Sequence, residues 1–225
     1  MVPHLSRAYA HRQTLPPLLL SPPRRKQPHP ALRSRTHRFE IIRPQPPSFY
    51  KGPLSDDEIP PEPIGTTWTP TPPPPSNPTP PNRIITLHIH GGAFIIGDGR
   101  DSDTGYLTHT LLHHMHCTHV CSPQYRLSGS KAGRFPAALQ DVLTTYLHLI
   151  RERNIPAKQI ILSGDSAGGN LALGLLRYIY EFGAELDIPA PGAVDPEGPY
   201  LSPLHHPLGM EGDVPMFVQA GGGGR

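Results

Sequence analysis

Ser166 sits in Gly164-Asp165-Ser166-Ala167-Gly168, between an apolar run and a helix-forming run. Gln159-Ile160-Ile161-Leu162-Ser163 reads as a short buried strand, and Ala167 to Tyr180 reads as a helix. A serine on so tight a strand-to-helix turn is pushed out above the end of a sheet. There its hydroxyl can reach a substrate carbonyl and a histidine at once. Flanking glycines let the backbone take the turn and let helix and strand come close. A second β-rich run, Ile84 to His90, ends in His90-Gly91-Gly92-Ala93-Phe94. Paired glycines after a strand present N–H groups with no side chain in the way. Such donors can hold the negative oxygen of a tetrahedral acyl-transfer intermediate. On this reading Ser166 is the nucleophile and the N–H groups of Gly91, Gly92 and Ala167 are the oxyanion donors, with His90 and Asp165 supporting the two motifs.

His90-Gly91-Gly92-Ala93 taken with Gly164-Asp165-Ser166-Ala167-Gly168-Gly169-Asn170 resembles the hormone-sensitive-lipase-like family of α/β-hydrolases. Tyr125-Arg126-Leu127 and the stretch from Phe135 to Val142 resemble it too, in the same order. The resemblance runs from about Ile84 to Tyr180 and resumes weakly from Tyr200 to Gly222. It implies a serine carboxylic-ester hydrolase acting on a small acyl ester, with no metal and no organic cofactor. It also implies an α/β fold in the form of an incomplete α/β-hydrolase: a mostly parallel sheet with helices on both faces. Tyr125 and Arg126 are expected to hold the loop under the site, and Asp165 to fix the turn or its neighbouring loop.

Ester hydrolysis by serine needs a histidine to take the proton and an acid to orient that histidine. In α/β-hydrolases the acid and then the histidine follow the serine along the chain. After Ser166 the histidines are His205 and His206, and the formal acid partner is Asp195. The segment Met216 to Gly222 resembles the family strand whose following turn carries the acid, yet only Gly223-Gly224-Arg225 come after it. Pro191-Gly192-Ala193-Val194 begins like the strand after the serine helix and then breaks at Asp195-Pro196-Glu197-Gly198-Pro199. The expectation is a truncated and internally shortened hydrolase whose activity is impaired, with the Met216–Ala220 run beside the Gln159–Ser163 strand or poorly anchored.

The elements that must position these residues alternate. Asp103 to His114 reads as a helix, Val120 to Tyr125 as a strand and Phe135 to Arg153 as an amphipathic helix, with Ala138, Val142, Tyr146, Leu149 and Ile150 at helical spacing. Strand-helix alternation of this sort specifies a parallel sheet covered on both faces. His109, His113, His114, His116 and His119 lie close to Cys117 and Cys121. They read as the exposed face and end of a surface helix, because nothing nearby completes a four-ligand metal site.

Composition divides the chain of 225 residues. Most of its 32 prolines precede Asn82, and proline removes donors and blocks helix and sheet interiors. Residues 1–81 therefore read as a proline-rich, basic, largely disordered region, and 82–225 as the partial hydrolase domain. Gly65-Thr66-Thr67-Trp68 is the exception, a candidate outer strand with Trp68 as a packing residue. The polyproline run from Thr69 to Pro81 reads as a stiff spacer, with an SH3- or WW-type partner as the alternative. That alternative belongs to a second reading, a non-catalytic binding module. The net charge of +2 selects no partner, and no aromatic-interleaved basic patch argues for nucleic acid. No run approaches the length of a membrane span. The expected location is cytoplasmic. The acid-free basic stretch before Glu40 leaves mitochondrial targeting open, although its prolines forbid the usual amphipathic helix.

Overall fold

Three apolar runs become parallel strands, and their direction brings the chemistry-bearing loops to one end of a sheet. The computed structural model describes residues 38–76, 78–115 and 117–192. Within them β1 (Phe39–Ile42), β2 (Ile64–Thr69), β3 (Ile85–Ile89), β4 (His119–Pro123) and β5 (Ile160–Gly164) form one sheet in the order β1-β2-β4-β3-β5. β3 runs parallel to both β4 and β5, whereas β1 with β2 and β2 with β4 are antiparallel. The three parallel strands therefore deliver His90, Gln124 and Asp165 to the same edge, where α/β sheets place their ligands.

Helices α1 (Asp101–His114) and α2 (Ala137–Leu147) fill the crossovers between the parallel strands, and α3 (Ala167–Leu186) follows β5. Side chains of a strand alternate between faces, and β4 shows which helix covers which. Val120 packs with Leu111 of α1, while Cys121 packs in the main core with Val142 and Tyr146 of α2 and Leu171 and Leu175 of α3. Helices thus cover both faces. Ile85, Leu87 and Ile89 of β3 all lie in that main core with no exposure, so the central strand anchors it. α2 continues through a wider turn, His148–Glu152, in which Arg153 N–H donates to His148 C=O.

The expected boundary at residue 82 is corrected over residues 38–81. β1 and β2 are paired strands, and Ile42, Tyr50, Leu54, Ile59, Ile64 and Trp68 are all buried. The prolines of this stretch fall between the elements, where a missing N–H costs nothing. The apolar residues between them are free to fill the core. β2 is not the outer strand, because β1 lies beyond it. Residues 1–37, together with the Met216–Ala220 run, lie outside the described residues.

The polyproline run crosses from β2 to β3 past β4 and is tied down by its own carbonyls. Pro73 C=O accepts from Arg153, Pro74 C=O from Arg83, and the carbonyls of Pro80 and Pro81 from the Gln159 amide. Among the described residues no helix is long and apolar enough to cross a membrane.

Candidate active site

β5 ends at Gly164 and α3 begins at Ala167, so two residues turn the chain. Ser166 bears the turn, with φ 49° and ψ −115°, a backbone region that side chains rarely enter. Helix and strand close on each other at Gly168, where a Cβ would collide with the carbonyls of Ile89 and His90. Glycine is what lets the start of α3 rest against the end of β3. Ser166 Oγ makes no hydrogen bond to any described residue, so a proton acceptor for it is not found among them. Asp195, His205 and His206 lie outside the described residues.

After β3 the chain turns through Gly92, Ala93 and Phe94 at φ 106°, 53° and 62°. The N–H groups of Ile95 and Ile96 both return to Gly92 C=O at 3.0 Å, which closes the turn. Ile95 and Ile96 are 63% and 68% exposed, an apolar pair directly beyond the glycines. Phe94 C=O accepts from Ser128 N–H at 2.7 Å, so this turn is braced by the loop that follows β4.

The three N–H groups expected as oxyanion donors are not equivalent. Gly91 N–H donates to Asp165 Oδ1 at 2.9 Å, so it is already engaged. The N–H groups of Gly92 and Ala167 have no acceptor among the described residues. Ala167 opens α3, where the first N–H groups have no partner within the helix. The expectation for Gly91 is corrected on this point: its N–H is directed at a carboxylate, not at a substrate.

His90 is buried, and its ring stacks on Tyr125 at 4.1 Å and 12°. Its Nδ1–H donates to Gly91 C=O at 2.7 Å, and Nε2 has no partner among the described residues. Burial pushes its pKa down, although hydrogen bonding to Gly91 C=O and the nearby Asp98, Asp103 and Asp165 act the other way. Tyr125 O–H donates to His90 C=O at 2.9 Å and to Gly91 C=O at 3.3 Å. Burial pushes Tyr125 up to about 12, so its phenol remains a donor at neutral pH. Arg126 lies with Asp141 in a buried pair: Asp141 has no exposure, and its Oδ2 also takes Arg126 N–H at 2.7 Å. Tyr125 therefore holds the glycine loop, and Arg126 anchors the chain next to Tyr125 to α2 and Pro60.

The residue that sequence reasoning passed over is His88. It occupies β3 two positions before His90 and is 1% exposed. Its Nδ1 lies 3.2 Å from Ser163 Oγ, and its Nε2 lies 4.0 Å from Asp165 Oδ1. Burial pushes its pKa down to about 4 against the pull of Asp165, so it is neutral at pH 7 and the contact with Asp165 is no ion pair. A polar residue in an otherwise Ile- and Leu-rich strand was the available signal. The rings of His109 and His113 meet at 4.0 Å on α1. Among the described residues no three His, Cys, Asp or Glu side chains gather as metal ligands.

Residues 86–185 match a family described as having the alpha/beta hydrolase fold. An esterase of Acinetobacter venetianus is 33% identical over 94 residues, which is 40% of this chain and 28% of that one. The chain thus spans under a third of that relative. Among solved structures, the hyperthermophilic esterase of the archaeon Pyrobaculum calidifontis is 24% identical with a TM-score of 0.44, over 65% of this chain and 40% of its own. A hormone-sensitive lipase from a metagenome library is 27% identical with a TM-score of 0.42, over 57% of this chain and 38% of its own.

Proposed function

We propose that this chain, whose residues 86–185 match a family with the alpha/beta hydrolase fold, is a serine carboxylic-ester hydrolase acting on a small acyl ester. Ser166 Oγ attacks the ester carbonyl. The N–H groups of Gly92 and Ala167 take the negative oxygen of the tetrahedral intermediate, in which donors aimed at developing charge contribute most. The exposed pair Ile95 and Ile96 offers apolar surface to the acyl or alcohol part. The observation that carries the reading is the strained φ of Ser166 at the start of α3, next to an N–H left without an acceptor.

The histidine and acid of a triad are proposed to come from outside the described residues, with His205, His206 and Asp195 the candidates within this sequence. Without an efficient base, turnover falls by orders of magnitude while binding and the oxyanion donors remain. The polypeptide is therefore proposed to be a poor esterase whose serine is still addressable. The carbonyls of Pro73, Pro74, Pro80 and Pro81 support the spacer reading of the polyproline run over that of a docking arm. No metal or organic cofactor enters the proposal.

Two measurements test it. A fluorophosphonate probe is expected to label the folded protein at Ser166 and not the Ser166→Ala variant. Hydrolysis of p-nitrophenyl acetate is expected to be weak and to vanish with the same substitution. Folded protein that resists the probe at every concentration would sink the proposal.

A further inference from the structure

The Gly91 N–H and the Asp165 carboxylate meet across two loops that belong to different strands. Gly91 follows β3, Asp165 follows β5, and the bond between them spans 74 positions at 2.9 Å. The contact is tight on the carbon side as well. A Cβ at residue 91 would collide with Asp165 Oδ2 and crowd its Cγ. Glycine at 91 thus does two things: it offers the N–H, and it leaves room for the carboxylate that accepts it. Asp165 in turn precedes Ser166, and its own C=O accepts from Gly168 N–H at 2.8 Å. One residue therefore holds both the glycine loop and the first turn of α3.

His88 completes the arrangement from behind. Ser163 Oγ lies 3.2 Å from Nδ1, and Asp165 Oδ1 lies 4.0 Å from Nε2. A neutral imidazole carries one N–H. The tautomer that suits both neighbours accepts the Ser163 hydroxyl at Nδ1 and turns Nε2–H toward the carboxylate. That dipole favours the Asp165 rotamer that reaches Gly91.

We infer that Asp165, backed by His88, is a positioning residue that fixes the oxyanion donors: it takes the N–H of Gly91 and so holds the N–H of Gly92 beside that of Ala167. The inference rests on the ester-hydrolase reading and deepens it by saying which donors are free and what fixes them. Gly92 is the next residue after the tethered Gly91, so rotation of the 90–92 backbone carries its N–H out of line. Without the tether, His90 and Tyr125 still hold Gly91 C=O and Ser128 still holds Phe94 C=O, and the Gly91 backbone is free to turn about those remaining anchors. A misplacement of this kind, on the order of 1 Å, can cost about a hundredfold in rate.

The experiment compares wild type, Asp165→Ala and Asp165→Asn in the full chain. The first readout is the rate of Ser166 labelling by an ethyl fluorophosphonate, whose transition state places negative charge on the phosphoryl oxygen. Asp165→Ala is expected to slow labelling by about tenfold or more, and Asp165→Asn, whose Oδ1 still accepts from Gly91, to recover it to within about threefold. A general loss of packing would not be repaired by an amide. The second readout needs no reactivity: the amide proton resonance of Gly91. In wild type it is expected to lie downfield, and in Asp165→Ala to move upfield and lose exchange protection. An unmoved Gly91 resonance in Asp165→Ala overturns the inference. So does equal labelling of wild type and Asp165→Ala. A Gly91 resonance that moves in a protein the probe never labels upholds the tether and defeats the hydrolase reading instead.

Discussion

Arg153 reaches Glu40 at 2.6 Å and joins the end of a helix to a strand 113 positions earlier in the chain. Three further contacts converge on the pair. Trp68 Nε1–H donates to Glu40 Oε2 at 3.0 Å, the Arg153 guanidinium lies 5.5 Å above the Trp68 ring, and a second Arg153 nitrogen donates to Pro73 C=O. One half-buried ion pair therefore ties β1, β2, the polyproline strap and the end of α2 together. Arg153→Ala leaves the Glu40 carboxylate half-buried with the His148 ring at 3.4 Å and Trp68 Nε1–H as its remaining neighbours. The expected cost is about 1–3 kcal/mol, read as a lower urea midpoint with an unchanged slope.

Acid is expected to weaken the fold in two windows. His88 is held at about 4, below its usual 6.5, chiefly by burial. The unfolded chain therefore binds the proton more readily than the native one, and stability falls as pH drops from 6.5 through 4. Glu40 is also half-buried, which pushes its pKa up, but hydrogen bonds from His148 and Arg153 outweigh this and bring it down to about 2. Its contribution is complete above pH 4.5 and is lost as pH falls through 2. Thermal unfolding of His88→Gln is expected to show a flatter profile between pH 6.5 and 4, and Glu40→Gln a flatter one below 4.5. Parallel profiles for wild type and His88→Gln across the upper window would refute its part.

Trp68 offers a test of where the folded region begins. It is fully buried among residues of β3, β4 and α2, although proline-rich sequence lies on both sides of it. Trp68→Ala is expected to cost about 3–5 kcal/mol, the range for removing a buried aromatic side chain. A loss below about 1 kcal/mol would place the residue outside the cooperative core.

What was legible in the chain was local. Strand, glycine turn and helix could be read around Ser166 and around Gly91-Gly92 because period and turn chemistry are encoded within a dozen residues. The covered parallel sheet followed from strand-helix alternation, and the α/β-hydrolase form from the resemblance of the motifs around Gly91 and Ser166. Proline content misled at residues 38–81: composition averages over a segment, whereas Tyr50, Leu54 and Trp68 act one at a time through contacts with residues far along the chain. The spending of Gly91 N–H on Asp165 was equally hidden, because it depends on how two strand ends lie side by side. So was His88, whose meaning comes from Ser163 and Asp165 on a neighbouring strand end.

Arg126 and Asp141 should behave as one unit beneath the site. Arg126 Nη2 donates to Asp141 Oδ1 at 2.9 Å and to Gln140 Oε1 at 2.8 Å, and Nη1 donates to Pro60 C=O at 3.0 Å. Both residues are buried, so removing either partner strands the other. Asp141→Ala is expected to cost about 3–5 kcal/mol because it leaves a buried cation and also frees Arg126 N–H. Asp141→Asn keeps an acceptor for that N–H and should cost less. Arg126→Met combined with Asp141→Leu buries no charge, and its cost should fall short of the summed single losses by about 1–3 kcal/mol. Denaturant unfolding of wild type, Arg126→Met, Asp141→Leu and the double variant measures the coupling. Strict additivity would mean that the pair does not act as a unit. The same series reports on the site, because Tyr125 stands next to Arg126 and donates to His90 and Gly91. Variants that loosen the pair are therefore expected to slow Ser166 labelling even at temperatures where they remain folded.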